Sequence, residues 1–229
     1  MSEASDSRRQ FGTGPLARAA ALIYSLLVVE ILLVLGTLPG LVPLVLLDRD
    51  VSNLPLVAAC ALPLGPAVAA ALYALHHHRG DLTDLHPAVA FWRGYRANLW
   101  PVLKIWGPLL LWLTIVAVNL ANFDAAAVPD WWRIPLVLVG VVATLWGVNA
   151  LVVTALFVFR TRDVARLAVH FLGRTPQVTL GTTGVLLTAA VVTAATSEAV
   201  LALLGSVFVL ALLGASRPMI NKIRDEFVA

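Results

Sequence analysis

Hydrophobic residues occupy long uninterrupted runs along the chain, and short polar segments separate these runs. A helix that crosses a bilayer needs about 20 mostly apolar residues. Runs of about this length occupy 17–38, 54–75, 99–120 and 134–159, and we predict one membrane span in each. The prolines and glycine within 39–43 are expected to loosen the end of the first span. Membrane β-strands would instead alternate in short segments, so the pattern predicts an all-α, polytopic helical bundle.

The last apolar run covers 178–215 and is too long for one ordinary span. At 1.5 Å per residue it would form a helix of about 57 Å, nearly twice the thickness of the hydrocarbon core. Thr196, Ser197 and Glu198 fall near its middle. We therefore predict a tight hairpin there and two spans, five and six. The alternative is one long, tilted or kinked helix.

Charge supports six spans and gives them an orientation. Only 13% of the residues are charged, against about 25% in soluble domains. Lys and Arg concentrate in cytoplasmic loops, and six spans with an inside N-terminus leave only Arg49 and Arg133, of 16 basic residues, outside. We predict cytoplasmic termini, with tails at 1–16 and 216–229 around one transmembrane domain at 17–215. This distribution explains the basic balance without a nucleic-acid partner.

Two inner loops carry amphipathic patterns, and we predict short interfacial helices near 87–98 and 163–172. In the first, an apolar stripe of Ala88, Phe91, Trp92, Tyr95 and Leu99 is expected before a turn into span three at Trp100-Pro101. Such helices anchor to lipid headgroups or dock a cytoplasmic protein, and both readings stay open. The candidate residues for docking or lipid contact are Phe91, Trp92, Arg93, Tyr95, Arg96, Asn98, Arg162 and Arg166.

Glu30 lies near the centre of the first predicted span. A charged side chain there costs at least about 2.5 kcal/mol, so it must be protonated, paired or facing water. One interpretation is a functional group for proton coupling or substrate contact. The other is a structural hydrogen bond to Asn119 or Asn149 on spans three and four, although either asparagine could equally hold helices together.

Gly65 and Pro66 fall inside the second predicted span and are expected to kink or break it. Broken helices near the midplane form binding sites in some transporters. The alternative is close helix packing at Gly65, Ala67 and Ala71.

Few residues suggest chemistry. Three adjacent histidines on a helix would point about 100° apart and could not all face one ion, so we expect a solvated polar boundary and no metal site. We find no nucleophile–base pair and no glycine-rich phosphate loop, and lone Cys60 excludes an internal disulfide. We therefore predict neither an enzyme nor a cofactor. The histidine-rich segment comprises His76, His77, His78, Asp81, Asp84 and His86.

Two segments resemble the YesL-like family of bacterial membrane proteins. Its members carry G-P-A-x-x-A-L-Y in a span, followed by F-[FW]-R-G-[FY]-x-x-N in a loop. The corresponding residues here are Gly65-Pro66-Ala67, Ala70-Ala71-Leu72-Tyr73 and Phe91-Trp92-Arg93-Gly94-Tyr95-Arg96-Ala97-Asn98. This chain departs from the family in extra residues around 39–53.

That family has no established activity, and its members are often associated with carbohydrate ABC importers. The resemblance implies a multi-pass protein of the bacterial cytoplasmic membrane, an accessory or assembly role in sugar uptake, and importer subunits and membrane lipid as partners. The E-A-A…G docking loop of importer permeases is missing. The alternative function is a small autonomous transporter or channel with a site near Glu30.

Overall fold

The computed structural model describes residues 14–48, 50–77, 86–126, 128–195, 200 and 203–227. Within them the chain forms helices joined by short turns and contains no strand. The helices are α1 (Pro15–Leu46), α2 (Leu54–Cys60), α3 (Leu64–His76), α4 (Pro87–Ala121), α5 (Arg133–Leu156), α6 (Thr161–Arg174), α7 (Pro176–Ala195) and α8 (Gly205–Phe227).

Six segments of the described chain are long and apolar enough to cross a membrane, which confirms the predicted all-α, six-span bundle. The second segment contains both α2 and α3. The six are Pro15–Leu46, Val51–His76, Pro87–Ala121, Asp130–Leu156, Pro176–Ala195 and Gly205–Phe227.

Helix α3 lies at the centre of the bundle. It contacts α1, α4, α5 and α8. Its small residues, such as Ala67, Ala70 and Ala71, are fully buried. Since helices in lipid gain little from burying apolar surface, small side chains that allow close backbone approach favour such contacts.

Two helices continue through prolines at which the sequence predicted a loosened helix end or a turn. Helix α1 continues past Pro39 and Pro43 to Leu46. Helix α4 continues past Pro101, so the predicted turn at Trp100-Pro101 and the separate interfacial helix near 87–98 are wrong. A proline removes one backbone donor, but unwinding the helix in lipid would expose several more polar groups.

The last two helices pack against each other, so the single-helix alternative for 178–215 is wrong. An added Cβ atom at Gly181 of α7 would lie 2.9 Å from the Cβ of Ala215 in α8. In one straight helix these residues would be about 50 Å apart. The predicted hairpin residues 196–198 lie outside the described residues.

Helix α8 also extends beyond the boundary predicted at residue 215. Met219, Ile220 and Ile223 are buried, so much of the predicted C-terminal tail forms the packed last part of α8. The spacing of these residues repeats the helical period, and an apolar stripe of this kind stabilises a helix against its neighbours.

Helix α6 is a separate short helix where the sequence predicted one near 163–172. Val164, Ala168 and Phe171 are buried against the bundle, while Arg162 and Arg166 are exposed. This division into a buried apolar side and an exposed basic side is typical of helices that lie along a membrane surface.

Candidate functional site

The carboxylate of Glu30 binds the N-terminus of helix α8. The backbone N–H of Ser206 donates a hydrogen bond to Glu30 Oε2 at 2.6 Å. Ser206 lies in the first turn of α8, where backbone N–H groups have no partner within the helix. The positive end of the helix dipole favours a negative group at this position. Glu30 of the first helix thus supplies a hydrogen-bond acceptor for a backbone N–H at the N-terminus of the last helix.

Gly205 packs closely beside this contact. An added Cβ atom there would lie 3.3 Å from Glu30 Oε1 and 3.0 Å from Leu33 Cδ2. A larger residue at this position would therefore require Glu30 and Leu33 to shift by a few tenths of an ångström. Oε1 is buried and accepts no hydrogen bond from the described residues, so half of the carboxylate retains unused hydrogen-bonding capacity.

Neither asparagine predicted as a partner of Glu30 contacts it, and that part of the sequence interpretation is wrong. Asn119 is exposed, and its Nδ2 donates to Ile115 O within its own helix at 2.7 Å. Asn149 is buried, but its side-chain nitrogen and oxygen have no hydrogen-bond partner among the described residues. A backbone N–H was the better partner because it is already unpaired at a helix end.

The second span is broken by a turn at 61–63, before the predicted Gly65-Pro66. Pro66 lies in the first turn of α3, where a missing N–H costs no helical hydrogen bond. The carbonyl of Ala61 accepts a hydrogen bond from Trp106 Nε1 of α4 at 2.9 Å. An added Cβ atom at Gly65 would lie 2.6 Å from the Trp106 ring. The indole of Trp106 therefore packs on Gly65 and donates a hydrogen bond to the backbone at the break.

Helix α1 covers the other side of the break. An added Cβ atom at Gly40 would lie 1.8 Å from the carbonyl oxygen of Cys60. Only a residue without a side chain allows these two backbones to approach so closely. Gly40 and Trp106 thus close the break from two sides, which supports the close-packing interpretation of this segment.

The first turns of α4 separate the motif residues into two faces. Phe91, Gly94 and Asn98 are buried and continue a stripe that includes Val102 and Ile105. Phe91 and Asn98, both predicted as docking residues, are therefore not part of the exposed surface. Asn98 instead donates from Nδ2 to Ala155 O of α5 at 3.3 Å, which links the two helices.

The opposite face of α4 presents a stripe of aromatic and basic side chains. Its members follow at i, i+3, i+4, i+7 and i+11, so they lie on one side of the helix. All are exposed, and we call this set the α4 stripe. It consists of Val89, Trp92, Arg93, Arg96 and Trp100.

Within the α4 stripe the side chains support one another. The Arg96 guanidinium lies 4.9 Å from the centre of the Trp92 ring, a distance suited to a cation–π contact. The Trp92 ring also stacks on the ring of half-buried Tyr95, which lies beside the stripe, with 5.7 Å between centroids. These contacts reduce the freedom of long side chains before any partner binds.

Close packing fixes the helix behind the stripe. An added Cβ atom at Gly94 would lie 2.8 Å from the Cβ of Tyr73 in α3. The ends of α3 and α8 meet nearby, where Arg224 Nη2 lies 3.5 Å from His76 Nε2. We call this the basic end of the bundle. His78, Asp81 and Asp84, from the histidine-rich segment, lie outside the described residues.

Between α4 and α5, Arg133 is surrounded by local partners. It forms ion pairs with Asp124 and Asp130, and its guanidinium lies 4.8 Å from the Phe123 ring centre. These acidic neighbours lie at the C-terminal end of α4, whereas Arg93 and Arg96 of the α4 stripe lie in its first turns and form no ion pair within the described part of the chain.

The fold defines an all-α, multi-pass membrane protein. Over residues 26–120 the chain matches the model of a family described as "Protein of unknown function, DUF624". The match runs from α1 to α4, so it includes Glu30, the broken second span and the α4 stripe. No curated protein and no solved structure matches the chain. The comparison supports an uncharacterised family and assigns no activity.

Proposed function

We propose that this protein is a membrane-embedded accessory or assembly protein that docks a partner on the α4 stripe. The observation that carries the proposal is the contrast between the two faces of α4. Trp92 is 52% exposed, while Phe91, the residue before it, is buried. Trp and Arg are the residues most enriched among energetic hot spots of protein interfaces. Because Gly94 and Asn98 fix the helix from behind, little order is lost on binding.

The length of α4 gives the stripe access to a partner outside the bilayer. Its 35 residues span about 52 Å, well beyond the roughly 30 Å of the hydrocarbon core. Arg93 and Arg96, within the first turns, can therefore lie beyond the apolar layer. The resemblance to the YesL-like family favours carbohydrate ABC importer subunits as the partner.

Affinity purification from native membranes in mild detergent tests this proposal. We expect importer subunits to co-purify with the wild-type chain and to be lost with Arg93→Ala/Arg96→Ala. A matched control, Arg217→Ala/Lys222→Ala, removes two exposed basic residues of α8 and should retain them. Recovery of the bait alone from wild-type membranes, or unchanged recovery with the α4 variant, would contradict the proposal.

A second candidate function is a small autonomous transporter. The buried Oε1 of Glu30, which accepts no hydrogen bond from the described residues, favours it. An acidic side chain within a span is a candidate for proton or substrate coupling. A transporter should move solute in liposomes without any other protein, and Glu30→Gln should abolish the coupling of this transport to protons. Flux that survives this change would exclude proton coupling through Glu30.

A further inference from the structure

An open apolar cavity lies between α4, α5 and α6, away from both Glu30 and the α4 stripe. Its volume is about 620 Å³, within the range of roughly 300–1,000 Å³ that is usual for ligand sites. Its lining is apolar. The residues that matter below are Trp112 of α4, Ala143 and Trp146 of α5, and Val169 and Leu172 of α6.

A hydrogen bond holds the α6 wall of this cavity in place. Trp146 Nε1 of α5 donates to Ala165 O of α6 at 3.1 Å. Phe171, on the opposite side of α6, is fully buried in the bundle. With its N–H already satisfied, the Trp146 indole contributes an apolar ring to the cavity. The cavity is thus a feature of packed helices and not of a loose surface helix.

Two arginines lie on the same face of α6 as the cavity wall. Arg162, Arg166 and Val169 are spaced i, i+4 and i+7, which places them on one side of the helix. Both arginines are exposed, and neither forms an ion pair within the described part of the chain. An added Cβ atom at Gly173, further along this face, would have open space around it.

We propose that this cavity binds an acyl chain of an anionic phospholipid, and that Arg162 and Arg166 bind its phosphate group. The apolar lining suits a hydrocarbon chain and offers no polar group to a hydrophilic solute. Guanidinium groups bind phosphate oxygens through paired hydrogen bonds. A zwitterionic lipid carries its own cation beside the phosphate, so the arginines should favour a lipid with net negative charge.

Native mass spectrometry of the full chain in mild detergent measures this preference directly. The probes are dioleoyl phosphatidylglycerol and dioleoyl phosphatidylcholine, which share acyl chains and differ in net charge. We expect the wild-type chain to retain one phosphatidylglycerol in preference to phosphatidylcholine. Arg162→Gln/Arg166→Gln should weaken phosphatidylglycerol binding by at least about tenfold. The matched control Arg217→Gln/Lys222→Gln should change it less than about twofold.

Position is tested separately with a photoreactive acyl chain. In liposomes that contain phosphatidylglycerol with a diazirine on its chain, we expect labelling of the cavity residues of α5 and α6. Ala143→Phe, which fills the cavity, should reduce this labelling. Three results would each overturn the proposal. They are equal binding of both lipids, unweakened phosphatidylglycerol binding by the α6 double variant, and labelling confined to the outer faces of α1 and α7.

Discussion

Tyr73 of α3 lies against Gly94 of α4, so the two sequence segments that carry the family resemblance pack directly on each other. An added Cβ atom at Gly94 would meet Tyr73 Cβ at 2.8 Å and ring atoms at 2.9 Å. Real Cβ contacts are not this short, so Gly94 is required by its neighbour. The relationship explains why a glycine stands among the large side chains of 91–98.

We expect Gly94→Ala to destabilise the protein by about 1–3 kcal/mol, the usual cost of overpacking. This cost exceeds the gain of about 1 kcal/mol from replacing a helical glycine by alanine. The matched control is Gly107→Ala in the same helix, where the added atom meets no neighbour within 4 Å and stability should hold or rise. Denaturant titration in detergent compares the two, and equal midpoints would contradict the packing argument.

Gly40→Ala should be more damaging than Gly94→Ala. The obstacle at Gly40 is the backbone carbonyl of Cys60, at 1.8 Å from the added atom, and a backbone at a helix break cannot rotate away as a side chain can. We expect loss of the monodisperse peak in size-exclusion chromatography. A stable, monodisperse Gly40→Ala protein would show that α1 does not pack on the break.

Trp106→Phe should lower the free energy of unfolding by about 0.5–1.5 kcal/mol, the usual net value of one hydrogen bond. The Ala61 carbonyl then loses one of its two donors and keeps the Leu64 N–H at 3.2 Å. Phenylalanine keeps an aromatic ring against Gly65, so the decrease in the free energy of unfolding measures mainly the lost hydrogen bond. Trp100→Phe is the control, since Trp100 is 69% exposed, and it should change stability by less than about 0.5 kcal/mol. The two variants are compared by thermal unfolding under identical detergent conditions.

Glu30→Gln should preserve the fold, because the amide oxygen still accepts the Ser206 N–H. Loss of the charge removes its interaction with the helix dipole, about 0.3–2 kcal/mol. Glu30→Ala should cost more, since the buried N–H is then unpaired. Chemical denaturation measures the stability of the three proteins, and we expect it to decrease in the order wild type, Glu30→Gln, Glu30→Ala. A Glu30→Ala protein as stable as the wild type would show that the contact contributes nothing.

Neighbouring residues of α4 should respond in opposite ways to truncation. Phe91→Ala removes a buried ring and should cost about 3–5 kcal/mol. Trp92→Ala removes an exposed ring and should leave stability nearly unchanged while weakening partner recovery in affinity purification. If Trp92→Ala unfolds the protein instead, the α4 stripe is part of the core and not a docking surface.

Hydropathy and segment length predicted the number of membrane spans and their approximate positions, because the cost of burying backbone in lipid acts on every residue of a span. It did not predict where helices break. Pro39, Pro43 and Pro101 lie within continuous helices, whereas the turn at 61–63 breaks the second span. A break is stabilised by contacts such as Trp106 with Ala61, and these join residues far apart in the sequence.

The candidate site was predicted only in part. Glu30 was singled out by its charge, but its partner is a backbone N–H, which no side-chain pattern reveals. The buried face of α4 contains Gly94 and Asn98, so a search for large apolar residues grouped Phe91 and Trp92 on one face, whereas the structure buries Phe91 and exposes Trp92. Two contacts determine which face of α4 is buried: the packing of Tyr73 on Gly94 and the hydrogen bond between Asn98 and Ala155.

The contact between Glu30 and Ser206 joins residues 176 positions apart, and this separation becomes an interval of time during synthesis. At about 5–20 residues per second, Glu30 emerges roughly 10–35 s before its partner exists. Throughout that interval the first helix carries an acidic group without the helix end that later receives it. Because of the order of translation, Glu30 of the first helix gains its hydrogen-bond partner only after the last helix has been synthesised.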